Sequence, residues 1–307
     1  MTNDGTGEGQ LSKNQRRAAA REKARALRES QKKRERRGRL ILQGGLILAS
    51  LAIVATVTLV IINSIQPPAS GPLNMASDGV LIGENFEVER TPALEAGEEP
   101  IASTPDPESE ALEIQVWVDY QCPVCAIFDE TNGEQIETLV EEGAATLEIH
   151  PVAILDRASL GSRYSSRSMN AAGCVANYAP NHFLAFNTAL FENQPEEQTA
   201  GLDDEQLIEL ARDAGVAQPS SVADCIEEDR FESWTASVTE RAVSNPDLLN
   251  EQGQFGTPTV LVNGVRYTGA PNDATAFAQF IAEADGAVFS EKSSSSPSPS
   301  PAPSPAP

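Results

Sequence analysis

Asp119-Tyr120-Gln121-Cys122-Pro123-Val124-Cys125 follows an apolar, β-prone run, Ile114, Val116, Trp117 and Val118. It leads into residues with helical spacing, Ile127, Phe128, Ile136, Leu139 and Val140. A strand that delivers a Cys-x-x-Cys to the start of a helix is the arrangement that suits thiol–disulfide exchange. Cys122 is expected at the N-cap and Pro123 in the first helical position, where a missing N–H costs nothing. Unpaired backbone N–H groups and the helix dipole there favour a thiolate, which is the nucleophilic form. A Cys-x-x-Cys can also be half of a zinc site or a structural pair. Zinc needs a second pair at similar spacing, and Cys174, Cys225, His150 and His182 do not supply one. No metal site and no cofactor are expected.

Working outward, charge divides the 307-residue chain sharply. Residues 1–39 carry thirteen Lys/Arg and five Asp/Glu, a net of +8, whereas the remainder carries a net of −31. Between the two regions, residues 40–62 (Leu40 to Ile62) contain no charged side chain over 23 residues. As a helix this stretch reaches about 34 Å, enough for a hydrocarbon core of about 30 Å. It is too long, and too far from the start, for a cleaved signal peptide. Arg34, Arg36, Arg37 and Arg39 beside it predict a cytoplasmic N-terminus. The expectation is a signal-anchored, single-pass cell-membrane protein with everything after Ile62 outside.

The basic arm, helical over Gln15 to Arg37 by composition, has no aromatic residue for base stacking. Topology and attraction to anionic lipid account for its charge, so nucleic acid is not an expected partner. In an outside compartment four cysteines suit two disulfides. With Cys122 and Cys125 as the working pair, Cys174 and Cys225 are left for a structural bridge, or as two buried thiols.

Residues 63–77 read as a linker containing Pro67-Pro68, and a domain is expected over residues 78–290. Within it, Gly79–Ile82 and Phe86–Glu89 suggest a hairpin, Thr91 to Glu110 a loop, and Ala145 to Ile154 a strand. Residues 157–250 read as almost wholly helical, with Asp203 or Asp204 and Ser220 or Ser221 as caps. Thr259–Val262, the Asn263-Gly264 turn and Val265–Tyr267 predict a hairpin, and Ala274 to Ala284 a last helix behind Asn272/Asp273. The Ser/Pro/Ala tail, residues 291–307, holds nothing that can pack.

Phe255-Gly256-Thr257-Pro258-Thr259-Val260 is the second informative motif, with a cis Thr257–Pro258 bond expected. Together with Val-Asp-Tyr-Gln-Cys-Pro-Val-Cys and the long helical insertion, it resembles the DsbA-like disulfide oxidoreductases of the thioredoxin superfamily in their membrane-anchored form. The resemblance covers roughly residues 78–286. It implies an α/β, thioredoxin-like fold with a long helical insertion, here preceded by a single transmembrane helix.

It also implies roles at matching positions. Cys122 would be the exposed nucleophile that forms mixed disulfides, and Cys125 the buried resolving thiol. Pro123, Val124, Thr257 and Pro258 would shape a substrate groove, with the Thr257 backbone free to pair with an extended peptide. Substrates would be cysteine-containing exported proteins, and a membrane redox partner would recycle the pair. Strongly oxidising members often carry Pro-His between the cysteines. Val124 cannot add positive charge there, and Asp119, if close, would disfavour the thiolate. The leading expectation is therefore an enzyme that forms or isomerises disulfides. The alternatives are a thiol reductase serving cytochrome c or metal-centre maturation, and a non-enzymatic chaperone or copper-binding module.

Overall fold

A computed structural model describes residues 21–23, 25, 27–29, 32–34, 54, 70–103, 111–217 and 219–295. The chain divides into two compact units, Met1–Gln66 and Pro67–Pro307. In the first, the described residues between 21 and 34 are helical, in line with their composition. Apart from Val54, the expected span at residues 40–62 lies outside the described residues, as do 63–69 of the linker. Among the described residues no helix is long and apolar enough to cross a membrane.

The second unit is built on a five-stranded sheet. Its strands are β1 (Val80–Ile82), β2 (Leu112–Val118), β3 (Ala145–Pro151), β4 (Thr259–Val262) and β5 (Val265–Arg266), in the order β1-β3-β2-β4-β5. Only β2 and β3 run parallel, and the crossover that this requires is α1 (Pro123–Glu141). On β2 alternate residues Leu112, Ile114, Val116 and Val118 are buried. The α1 face that packs inward carries Cys125, Phe128, Ile136 and Val140. Trp117 points the other way, stacks on His150 at 4.3 Å and packs with Val152, Ala242, Leu248 and Leu261. Both faces of the sheet are therefore covered, as β2 requires with its apolar side chains on two sides.

The segment between β3 and β4 forms five helices: α2 (Tyr164–Tyr178), α3 (Phe183–Glu192), α4 (Asp204–Asp213), α5 (Pro219–Glu227) and α6 (Glu232–Ser244). Asp203 and Gln206 close a capping box on α4, and Gly215, at φ +92°, ends it. Asn263 and Gly264 have φ of 50° and 75°, the pair of left-handed residues that a two-residue hairpin needs. The last helix, α7 (Ala274–Ser295), opens with the Asp273 side chain accepting from the Ala276 N–H at 2.9 Å.

Four sequence expectations need correction. Phe86–Glu89 is not a returning strand: Glu84–Phe86 forms a 3₁₀ turn with Asn85 and Phe86 at positive φ, leaving one bridge between Ile82 and Val88. The partner of β1 is β3. β3 stops at Pro151 because the Ile154 and Leu155 N–H groups turn to the Asp119 carboxylate. Neither Ser220 nor Ser221 caps α5, which already begins at Pro219, where proline is favoured. α7 does not end at Ala284; it runs through Glu291–Ser295, the first residues of the expected tail, and the first helix-breaking proline is Pro297. Residues 296–307 lie outside the described residues.

Cys174 on α2 and Cys225 on α5 are joined by a disulfide across a separation of 51 residues, and both are fully buried. Closing a loop of that length removes chain entropy worth about 4 kcal/mol from the unfolded state. Replacing both cysteines by serine is expected to lower the unfolding free energy by about that much. Equilibrium denaturation of the two proteins under non-reducing conditions measures it.

Candidate active site

β2 runs out of the sheet at Val118, and Cys122 caps α1 with extended backbone (φ −80°, ψ 114°), followed by Pro123 in the first turn. The turn between them is held by the Cys122 N–H to the Asp119 carbonyl at 2.9 Å, and the Cys122 carbonyl accepts from the Cys125 N–H at 3.0 Å. β4 pairs antiparallel with β2 in the register Trp117↔Thr259. That pairing sets the cis Thr257–Pro258 bond against the start of α1, where the Cys122 thiol donates to the Thr257 carbonyl at 3.3 Å. Cys122, Cys125, Thr257 and Pro258 thus meet at one place, with Pro123 and Val124 exposed on its rim.

Two of the implied features differ. Cys122 is 6% exposed, not open, because Thr257 lies across it; Val124 beside it is 42% exposed. The Thr257 carbonyl is engaged by that thiol, a weak donor that a peptide N–H can displace.

Cys122 and Cys125 are both free thiols, and their environments drive them apart. The hydrogen bond from the Cys125 thiol lowers the Cys122 pKa to about 6 against the cost of burial, helped by Thr257 and by the backbone of Cys125 and Val124. Burial pushes Cys125 well above the ordinary thiol range, and its neighbour Cys122 pushes further. Above its own pKa Cys122 loses the proton it shares with the Thr257 carbonyl and its sulfur accepts from the Cys125 thiol, while Cys125 keeps its proton. That inequality is what a nucleophile and a resolving group need.

Asp119, three residues before Cys122, has its carboxylate engaged by other groups. Its carboxylate accepts from the N–H groups of Gln121, Ile154 and Leu155 at 2.9, 2.8 and 2.9 Å and from the Ser165 hydroxyl at 2.7 Å. Burial pushes its pKa up to about 6 in spite of these donors. The carboxylate therefore ties the active-site turn to the β3 exit and to α2, and it makes no hydrogen bond to either thiol.

Gln194, just beyond α3, donates through Nε2 to the carbonyls of Tyr120 and Cys122 at 3.1 and 3.0 Å. The buried Gln121 side chain donates to the Ala158 carbonyl at 3.2 Å. Neither residue was singled out in the sequence. Gln121 lies inside the quoted Cys-x-x-Cys stretch with no role assigned to it, and Gln194, a glutamine in a loop, carries no periodicity or motif. Among the described residues no group of three or more His, Cys, Asp or Glu could hold a metal ion.

The thioredoxin family profile matches residues 108–283, more than half of the chain. The chain belongs to the thioredoxin family. Within it, the chain is similar to DsbA-like thiol–disulfide oxidoreductases. Oxidised DsbA from Mycobacterium tuberculosis has 28% identity and a TM-score of 0.52, over 71% of this chain and 100% of that one. DsbG from the same organism, in its reduced form, has 31% identity and a TM-score of 0.49, over 64% and 90%. BdbD from Bacillus subtilis shares the fold at 16% identity and a TM-score of 0.50, over 72% and 100%. No curated protein matches the chain.

The pKa of Cys122 makes a direct prediction. In the reduced protein, the rate of iodoacetamide labelling at Cys122 should rise with pH to half its maximum near pH 6. Cys125 should remain unlabelled over the same range. Mass spectrometry of the labelled peptides reads both, and equal labelling of the two cysteines would contradict the assigned inequality.

Proposed function

We propose that this thiol–disulfide oxidoreductase works outside the cell membrane, forming or isomerising disulfides in exported proteins. Leu40–Ile62 anchors it in the bilayer, and residues 1–39 lie against anionic lipid on the cytoplasmic side. The observation that carries the catalytic reading is the placement of Cys122 at the N-cap of α1, against the Thr257 carbonyl and with Cys125 buried one turn behind it.

In the oxidising direction a substrate thiolate attacks Cys122 Sγ of the Cys122–Cys125 disulfide. The new bond joins substrate sulfur to Cys122, the old bond breaks, and Cys125 leaves and takes a proton. A second substrate thiolate then attacks the substrate sulfur of the mixed disulfide and expels Cys122 as a thiolate. Its low pKa makes Cys122 the better leaving group. The substrate loses two electrons and its two thiol protons. The protein pair gains the electrons and passes them to a membrane redox partner. Run backwards with Cys122 as attacking thiolate, the same steps open a wrong disulfide. Pro123, Val124, Thr257 and Pro258 form the rim on which an extended substrate segment lies, pairing with the Thr257 backbone.

Cys122→Ser is expected to abolish exchange. Cys125→Ser should leave Cys122 joined to substrate proteins as mixed disulfides, visible on non-reducing gels and lost with reductant. Full exchange activity in Cys122→Ser would remove the catalytic assignment. Protease added to intact spheroplasts should digest the acidic domain and spare the basic arm, whereas protection of the domain would overturn the topology.

A further inference from the structure

A groove of about 550 Å³ runs between α1 and α3, beginning at Ala126, one turn past Cys122. Asp129, Glu130, Glu134 and Glu137 from α1 and Glu192 from α3 line it, with Thr188 opposite. None of the ion pairs among the described residues involves any of these five carboxylates. Their mutual repulsion is felt: burial, with Glu137 and Glu192, pushes Asp129 up to about 7, and burial with Glu134 raises Glu137.

A second observation is independent of the charges. An inner recess of about 30 Å³ shares Asp129, Gly133, Glu137 and Phe191 with the groove and reaches Cys125. Asn187, 3% exposed, lines this recess, and its Oδ1 has no hydrogen-bond partner. Asp129, Glu137 and Asn187 are the polar groups of a recess otherwise lined by apolar side chains and Cys125, and a buried acceptor left unmet there is costly. The complement is a compact cation with several N–H donors. A lysine ammonium carries three and is close in size to a water molecule, which the recess can admit. At Gly133, which lines both groove and recess, a Cβ would meet nothing within 4 Å, so the space between them is open. Ala126 and Phe191 offer apolar surface for the methylene stem.

We propose that this groove binds a lysine side chain of the polypeptide that exchanges disulfides with Cys122. The proposal rests on the catalytic reading above and adds the substrate's charge to it. Along α1, Asp129 and Glu130 stand about 10–12 Å beyond Cys122 at 1.5 Å per residue. An extended peptide advances about 3.3 Å per residue, which places the lysine three or four residues from the reactive cysteine.

The full chain in detergent micelles tests this with two dithiol peptides, identical except for Lys or Glu four residues from the first cysteine. The lysine peptide should be oxidised with about ten-fold higher kcat/KM at low ionic strength, the difference residing in KM. In the Glu137→Gln variant, which removes a carboxylate shared by groove and recess, that preference should shrink to near two-fold, and turnover of the neutral hydroxyethyl disulfide by the wild-type protein reports the basal exchange. Equal kcat/KM for the two peptides in the wild-type protein would overturn the proposal, and that comparison depends on no variant folding. Loss of hydroxyethyl disulfide turnover in the wild-type protein would instead count against the catalytic reading.

Discussion

The antiparallel pairing of β2 with β4 is the constraint on which the site depends. The Trp117↔Thr259 register brings together two segments 135 residues apart, so that Thr257 meets Cys122 where β2 gives way to α1. Side chains alternate across a strand, so a slip of one residue would move Val260 and Val262 out of the core and turn the Thr257–Pro258 loop from the thiols. Burial of Val260 and Val262 against Ile114 and Val116 therefore fixes the geometry at Cys122 as well as the sheet. Packing and chemistry share one register.

The helical insertion is bound to that geometry by polar contacts of the active-site turn. Asp119 takes N–H groups from the β3 exit and the hydroxyl of Ser165 on α2, and Gln194 beyond α3 holds the carbonyls of Tyr120 and Cys122. The Cys174–Cys225 bridge lies within the insertion and joins α2 to α5. α2, which Asp119 touches, is thus anchored on its far side by a covalent link. A turn held from both directions keeps Cys122 at the helix start, where its thiolate is favoured.

Much of this was legible in the sequence because it is local. Pro123 after Cys122, the alternation of β2, the Asn263-Gly264 turn and the Asp203 cap each follow from one residue's backbone preference or from a short repeat. The errors came where distant partners decide. Phe86–Glu89 has β-prone spacing, but positive φ at Asn85 and Phe86 ends the pairing. The Asp119 carboxylate has four donors, three of them 35, 36 and 46 residues on, which no local pattern shows. Cys122 was read as open because nothing local says that Thr257 covers it. Gln194 and the acidic groove need the packing of α3 on α1, which no spacing within either helix encodes.

Exchange at Cys122 depends on the unequal thiols, and the pH dependence of the Cys122–Cys125 reduction potential tests that inequality most directly. Two electrons and two protons are exchanged while both thiols are protonated, which gives a slope of about 59 mV per pH unit. Once Cys122 ionises only one proton is exchanged, and the slope halves to about 30 mV per pH unit. The lowered pKa of Cys122 places that break near pH 6. A glutathione titration from pH 5 to pH 8 should show it, with a potential at pH 7 about 30 mV more oxidising than an unshifted dithiol would have. A single slope of about 59 mV per pH unit through pH 8 would mean that both thiols keep their protons, and would contradict the account.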